Sequence, residues 1–348
     1  MLKTEELALD SMRLRANASC SAIRHRDSSR KRVEALEQAD TSAMSETEQQ
    51  RHEAELERHR GVVEMCESRN VASFVETNEL AALMRFPQGC ALPGHRITAT
   101  AAGASERIVI GVLVDAAPND VGKLPSAVQQ MLEALERAGV PRDQRHHLLA
   151  DAGYWDASSL KYAESVRDRV DVLIADARPK PDKRRHGQLS RDLFVMSEDG
   201  RSVTCPAGRP MQGPESAGQG SRRWHGVGCG DCELRPRCTK GKHRKFQIRV
   251  EFEASSGLMR KRLNEAPDPT LYKKRAAIIE PVFASVQHEM GFRRASSRSA
   301  TTVIAEVLLK LLAHNIRRLA AAASRLSVVW LVRTGDSPWT LWTPPEEF

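Results

Sequence analysis

Two kinds of segment are missing from this sequence. No apolar stretch resembling a signal peptide opens it, and no long apolar run is free of charge. The most apolar long segment, residues 303–323, is interrupted by Glu306, Lys310, His314, Arg317 and Arg318, so it reads as a buried helix rather than a membrane span. No internal repeat is visible. Cysteine is sparse and odd in number: seven in a chain with no secretory signal favour reduced thiols or a metal site over disulfides. These absences predict a cytoplasmic protein with no membrane partner.

The 348 residues suit one elaborated domain, or a core plus insertions, with enough length for an apolar core. Hydrophobic content is 41% and charged content 28%, both ordinary for a globular chain. The net charge of +8 suggests a polyanionic partner, most simply nucleic acid.

The opening "LALDSMRLRANAS" intermixes small apolar and polar residues around Asp10 without a helical stripe, and predicts a strand. Residues 30–67, rich in Glu, Arg, Gln and Ala, predict one or two exposed helices. "RITATAAGASERIVIGVLV" predicts two strands joined near Gly103, and "LPSAVQQMLEALERAG" a helix ended by Gly139. A strand then runs through Leu148 and Leu149 into Asp151, and after a further helix "VDVLIAD" supplies another. That alternation is an α/β pattern. Residues 178–191, rich in Pro, Lys and Arg, read as a loop, and residues 195–244 as a small Cys- and Gly-rich module. From Glu251 the chain reads as helical; the tail after residue 325 has no physical account.

Three acids stand out by context. Asp10 lies in the first strand, Asp151 at the end of a later one, and Glu280 in a helix whose apolar face is Ile279, Phe283, Val286 and Met290. Carboxylates meeting at the ends of sheet strands suit Mg²⁺, a hard ion that prefers oxygen ligands. Two such ions about 3.5–4 Å apart activate a water or hydroxyl and stabilise the leaving oxygen at phosphorus. On pattern alone Asp115, Asp120 or Asp176 is nearly as defensible, and Asp151 also reads as a helix cap or turn residue.

Cys205, Cys229, Cys232 and Cys238 are candidate zinc ligands, because a C-x2-C turn aims two thiolates at one ion; His225 is an alternative ligand. The competing reading is reduced thiols packing a small insertion. Cys20, Cys66 and Cys90 read as buried apolar residues. Positive charge gathers at 178–185, at 235–245 and around Glu280.

Several motifs, in order, resemble insertion-sequence transposases of the DDE type. "LALDSMRLRANAS" is similar to the strand carrying the family's first aspartate, and "LMRFPQG" with "LPGHRITATAAG" to the next block. "NDVGKL" and "LLADAGYWDASSL" resemble the segment of the second aspartate. "CPAG" and "CGDCELRPRCT" resemble a cysteine-rich stretch of one branch, "LYKKRAAIIEPVFASVQHEMGFRR" the glutamate block, and "LLKLLAHNIRRL" the closing helix.

The resemblance implies a ribonuclease H-like α/β fold, a mixed sheet flanked by helices. The first core strand falls in 1–29, a helical insertion in 30–70, the catalytic core in 71–194, a Cys-rich insertion in 195–245, the helical part with Glu280 in 246–325 and the tail in 326–348. It implies Asp10, Asp151 and Glu280 as the catalytic, Mg²⁺- or Mn²⁺-binding triad, with Asp10 and Asp151 sharing one ion and Glu280 holding the second. Tyr272, Lys274, Arg275, Arg293, Arg294 and Arg298 become DNA-binding or site-supporting residues. The partner is DNA, as transposon ends and target, bound by a homodimer in the active complex. The departures are Met12 for a usual Thr, Gly103 for a common Asp, Gln287 for a Lys and Ser299 for a Gly. Relatives carry an N-terminal helical region before the first aspartate, so this chain reads as a truncated or split copy. The alternatives are a catalytically inactive, transposase-derived DNA-binding protein, or a zinc-ribbon module on an unrelated scaffold.

Overall fold

A computed structural model describes residues 4–42, 44–86, 89–177, 189–197, 199–218, 220–265 and 270–334. The basic loop expected at 178–191 therefore lies outside the described residues up to position 188, as does the tail from 335. The chain divides into two compact units. One holds the chain up to Asp120, Ser126–Leu149 and the chain from Lys273; the other holds Val121–Pro125 and Ala150–Tyr272.

The first unit opens with β1 (Glu6–Arg15), β2 (Ile23–His25), α1 (Arg26–Glu37), α2 (Glu46–Ser68), β3 (Ser73–Val75), β4 (Ala82–Arg85), β5 (Ala91–Ala102) and β6 (Ile108–Asp115). α3 (Leu124–Arg137) and β7 (His146–Ala150) follow. The second unit supplies α4 (Ala157–Ser165), β8 (Val170–Ile174), β9 (Val195–Met196), β10 (Val203–Thr204), β11 (Gln212–Ser216), β12 (Ser221–His225), α5 (Arg235–Cys238), β13 (Lys245–Arg249) and α6 (Val250–Asn264). The chain then returns to the first unit with α7 (Lys274–Ala284), a π-helical turn over Ser285–Glu289 and α8 (Ala300–Thr334).

β5 is the spine of the first unit. β1 runs antiparallel along it, from Leu7 opposite Ala102 to Arg15 opposite Gly94. On its other edge β4 pairs its first residues and β6 its remainder. β7 flanks β1. This is the mixed α/β architecture expected of a ribonuclease H-like fold.

Side chains alternate across a strand, so each face has its own cover. Ala8, Met12 and Leu14 of β1, with Ile97, Ala99 and Ala101 of β5, pack on Ile278, Ile279, Val282 and Phe283 of α7 and on Val303, Val307 and Leu311 of α8. On the reverse face α3 lies close to the sheet, with the Cα of Met131 at van der Waals distance, 3.6 Å, from where a Cβ on Gly111 would stand. α1 and α2 contribute only Ser29, Leu36, Val62 and Cys66 to buried surface and otherwise exchange exposed ion pairs such as Arg30–Glu67 at 2.8 Å. Such pairs are worth about 0–1 kcal/mol each. Cys66 is buried, but Cys20 and Cys90 are exposed, contrary to the expectation of buried apolar cysteines, because both sit in surface turns.

The turn between β5 and β6 clamps the two long C-terminal helices. Pro281 lacks an N–H, so α7 loses its bond to the carbonyl of Ala277. The Arg107 guanidinium donates to that carbonyl instead, at 3.0 Å. Arg107 adopts the left-handed region at φ 56° and is tied down at both backbone ends, donating to Gly103 O and accepting from His314 Nε2 at 3.0 Å. The Asn315 amide pairs with both the N–H and C=O of Val109, and Arg318 donates to Ser105 and Glu106 carbonyls. His314, Asn315 and Arg318 of "AHNIRRL" therefore fasten α8 to β6 and the turn before it, while Arg317 pairs with Glu289.

In the second unit α6 is tied to β8 and α4 by Arg262, which bridges Asp171 and Glu164. The Cys-rich module has its own core of Phe194, Val203, Met211, Trp224, Phe246 and Ile248, roofed by the β11–β12–β13 sheet.

Candidate active site

Asp10 faces α7 because it shares the strand parity of Ala8 and Met12. It is the polar member of an otherwise apolar stripe. Its Oδ2 accepts from Arg275 Nη1 at 2.8 Å, and Oδ1 accepts from the Ser11 N–H at 2.7 Å. Arg275 also reaches the Glu280 carboxylate at 3.7 Å. The side chains of Asp10 and Arg275 are 19% and 16% exposed, against 61% for Glu280. One guanidinium thus stands between two acids from distant parts of the chain, where a cation is needed to offset their repulsion. Arg275 is not the solvent-facing helix residue that its basic surroundings suggest. Lys274 is paired with Glu6 at 2.6 Å.

Met12 and Gln287, two of the departures from the family pattern, touch each other: Gln287 Nε2 lies 3.4 Å from Met12 Sδ. Gln287 sits in the π-helical turn that follows Glu280, a feature often found at functional sites. Gly103 has φ 74°, a conformation that Gly adopts freely and Asp tolerates.

Behind Asp10 lies a buried network absent from the sequence reading. Arg96, 2% exposed, donates to Ser11 Oγ, to Asp120 and to the carbonyls of Ala117 and Pro118. Ser11 Oγ also donates to Asp120 at 2.6 Å. An arginine inside the alternating "HRITAT" strand was the available signal. Asp120 is therefore committed to a buried ion pair, Asp176 pairs with Arg260 at 3.1 Å, and Asp115 accepts from the Ala117 N–H in its own turn. The alternative acids each have a structural partner.

Asp151 belongs to the second unit and follows β7 directly in the chain. It caps the short 3₁₀ turn Ala152–Tyr154 by accepting from the Gly153 N–H at 2.8 Å. The Tyr272 hydroxyl donates to the carbonyl of Ala150 at 2.9 Å and so fixes the backbone beside Asp151. Asp156, five residues on, is the helix cap of this stretch. Burial opposes its ionisation, but bonds from Ser158, Ser159 and Gly122 outweigh that and hold its carboxyl below the ordinary range.

Arg293, Arg294 and Arg298 are exposed and gather beside Asn17, where residues 293–295 run along the end of β1. None of their described polar partners is a carboxylate: Gln287 O and His288 for Arg293, Asn17 for Arg294 and Arg298. Arg15, at that end of β1, is about 16 Å along the strand from Asp10. His225, the alternative zinc ligand, is paired with Glu215 at 2.7 Å.

Carboxylate oxygens are the donors that Mg²⁺ and Mn²⁺ prefer, and the Arg275 cation between Asp10 and Glu280 marks a place where positive charge is already accommodated. That donor chemistry fits a divalent ion. Among the described residues, no three His, Cys, Asp or Glu side chains already stand as a metal-binding group, and no helix is long and apolar enough to cross a membrane.

Compared with known proteins, residues 204–320 match the family described as a transposase DDE domain. No curated protein and no solved structure matches the chain. The matched stretch contains the Cys-rich module, Arg275, Glu280 and the α8 residues that clamp the sheet, while Asp10 and Asp151 precede it. That match supports a DDE-type transposase.

Proposed function

We propose that this chain is the catalytic part of a DNA transposase, cleaving strands at insertion-sequence ends and joining them to target DNA, with Asp10, Asp151 and Glu280 as its acidic triad. The observation that carries the reading is the convergence of Asp10 and Glu280 on Arg275, across 270 residues of sequence, with Glu280 inside the matched transposase segment. Asp151 is the residue immediately after β7, the strand beside β1.

In this reading Asp10, Asp151 and Glu280 hold the divalent ions. Mg²⁺ or Mn²⁺, when bound, supplies an activated oxygen nucleophile and stabilises charge on the leaving oxygen. Arg275 aligns the Asp10 carboxylate by direct hydrogen bonding and lies within ion-pair reach of Glu280. Tyr272 holds the backbone that presents Asp151. Arg293, Arg294 and Arg298, whose described partners include no carboxylate, track the phosphate backbone and give affinity without sequence reading. Lys274, paired with Glu6, and Arg275, paired with Asp10, are the further DNA-binding candidates nearest the acids. Pairing two transposon ends calls for two protomers.

The test is Mg²⁺- or Mn²⁺-dependent nicking of supercoiled plasmid by wild type and by Asp151→Ala. Nicking that disappears in the variant supports the reading. Equal nicking by both proteins removes Asp151 from the mechanism. DNA binding without nicking by either favours the inactive, transposase-derived DNA-binding protein, a reading to which the Gln287–Met12 contact in place of a lysine lends weight.

A further inference from the structure

The Cys-rich module brings four cysteines together. Its four cysteines come from three segments: Cys205 after β10, Cys229 and Cys232 in the loop after β12, and Cys238 at the end of α5. All four line one cavity of about 20 Å³. A space of that size admits a single water-sized guest. None of the other lining residues is His, Asp or Glu, so the metal-binding donors that face it are thiols. None of the four is in a disulfide.

The backbone is shaped to aim these sulfurs. The Cys205 segment closes a tight turn, with Gly208 N–H donating to Cys205 O at 2.9 Å and Gly208 at φ 73°. A Cβ at Gly226 would lie 2.6 Å from Cys229 Sγ, so the glycine makes room for the inward sulfur. Three arginines lace the loops together through carbonyls: Arg209 to Gly228 at 2.7 Å, Arg235 to Gly230 at 3.2 Å and Arg244 to Cys238 at 2.9 Å. Their charge surrounds the thiols and offsets the net negative charge of a metal bound by four thiolates. The apolar core of the module is only six residues and packs against Cys205 and Cys238, so a cross-link at this point joins the sheet to α5. The sulfurs share the cavity without standing as a closed metal group.

We propose that Cys205, Cys229, Cys232 and Cys238 bind one structural Zn²⁺ ion. With four protein ligands the site has no open position, so the ion holds the module together and takes no part in phosphodiester chemistry. Zinc rather than Mg²⁺ follows from the soft donors.

The experiment uses the full chain, purified reduced and without chelator. Elemental analysis should give about one zinc per chain, and Co²⁺ exchange should give the strong visible bands and thiolate-to-metal charge transfer of a tetrahedral sulfur site. Cys232→Ser and Cys205→Ser should each lose the ion, whereas Cys20→Ser, an exposed cysteine of the other unit, should keep it. Zinc well below about a tenth of an equivalent, with no Co²⁺ charge-transfer band in the wild-type chain, overturns the proposal in favour of reduced packing thiols. Zinc retained in both Cys→Ser variants overturns it as well. Neither outcome depends on nicking activity, so the zinc site stands or falls apart from the transposase reading.

Discussion

Arg96→Met is the perturbation whose cost the structure specifies best. Arg96 is 2% exposed and donates to a carboxylate, a hydroxyl and two carbonyls, with its aliphatic stem buried in β5. Methionine keeps much of the stem's volume but removes every donor. Asp120, 15% exposed, is then left with the Ser11 hydroxyl. Removing one partner of a buried pair costs about 3–5 kcal/mol. The partial access of Asp120 to water places the expected loss near the lower end, about 3 kcal/mol. Asp120→Asn removes the charge but keeps the shape. If the network is a coupled unit, the double variant costs less than the two single losses added together, by roughly 1–3 kcal/mol. Urea unfolding followed by far-ultraviolet circular dichroism measures all four corners of the cycle, with unchanged m-values as the control. A loss under about 1 kcal/mol for Arg96→Met, or strict additivity in the cycle, refutes the claim that a buried ion pair anchors the strand carrying Asp10.

Two further outcomes follow from charge. Burial lowers the His314 imidazole below its ordinary value of 6.5, and Arg318 and Arg317 add to this against the opposing bond to the Arg107 carbonyl and the attraction of Glu289. The folded state therefore binds that proton less well than the unfolded chain. The contribution to stability is full above about pH 6.5 and is lost as pH falls below it, by up to about 1.4 kcal/mol per pH unit. His314→Gln should flatten the acid limb of stability between pH 7.5 and 5.5 by part of that slope, His95 supplying the same sign of effect in both proteins; parallel curves contradict the assignment. Replacing Arg293, Arg294 and Arg298 together by Ala should reduce the slope of log K against log salt by about 2–3 for duplex DNA, measured by fluorescence anisotropy, and an unchanged slope removes these residues from the DNA path.

How much was legible beforehand differs from element to element. The strands around Asp10, Gly103 and Leu148 were visible because period-two patterning and glycine turns are local signals, and β1, β5, β6 and β7 lie where that patterning put them. The chain's α1–α2 break was visible only as one or two helices, since Asp40 and Ser42 interrupt a composition that is uniform on either side. The partnership of Arg275 with Asp10 was not legible, because it depends on the strand parity of β1 meeting one turn of a helix more than 260 residues away. Nor was the rescue of the Ala277 carbonyl by Arg107. Pro281 announces a lost helical bond, but only tertiary structure supplies the replacement. The exposed Cys20 and Cys90 show the limit of composition rules: burial preference ranks residue types, while surface turns decide individual cases.

The central proposal is that Asp10, Asp151 and Glu280 together hold the divalent ions. Fe²⁺ substitutes for Mg²⁺ at oxygen-ligand sites, and with ascorbate and peroxide it cuts the backbone of whatever chain segments surround it. The account predicts cuts in the full-length chain near residues 10, 151 and 280 together, suppressed by excess Mg²⁺ and reduced at all three places by Asp10→Asn. Cuts near residues 10 and 280 without any near 151, or cuts at all three that excess Mg²⁺ leaves unchanged, contradict it.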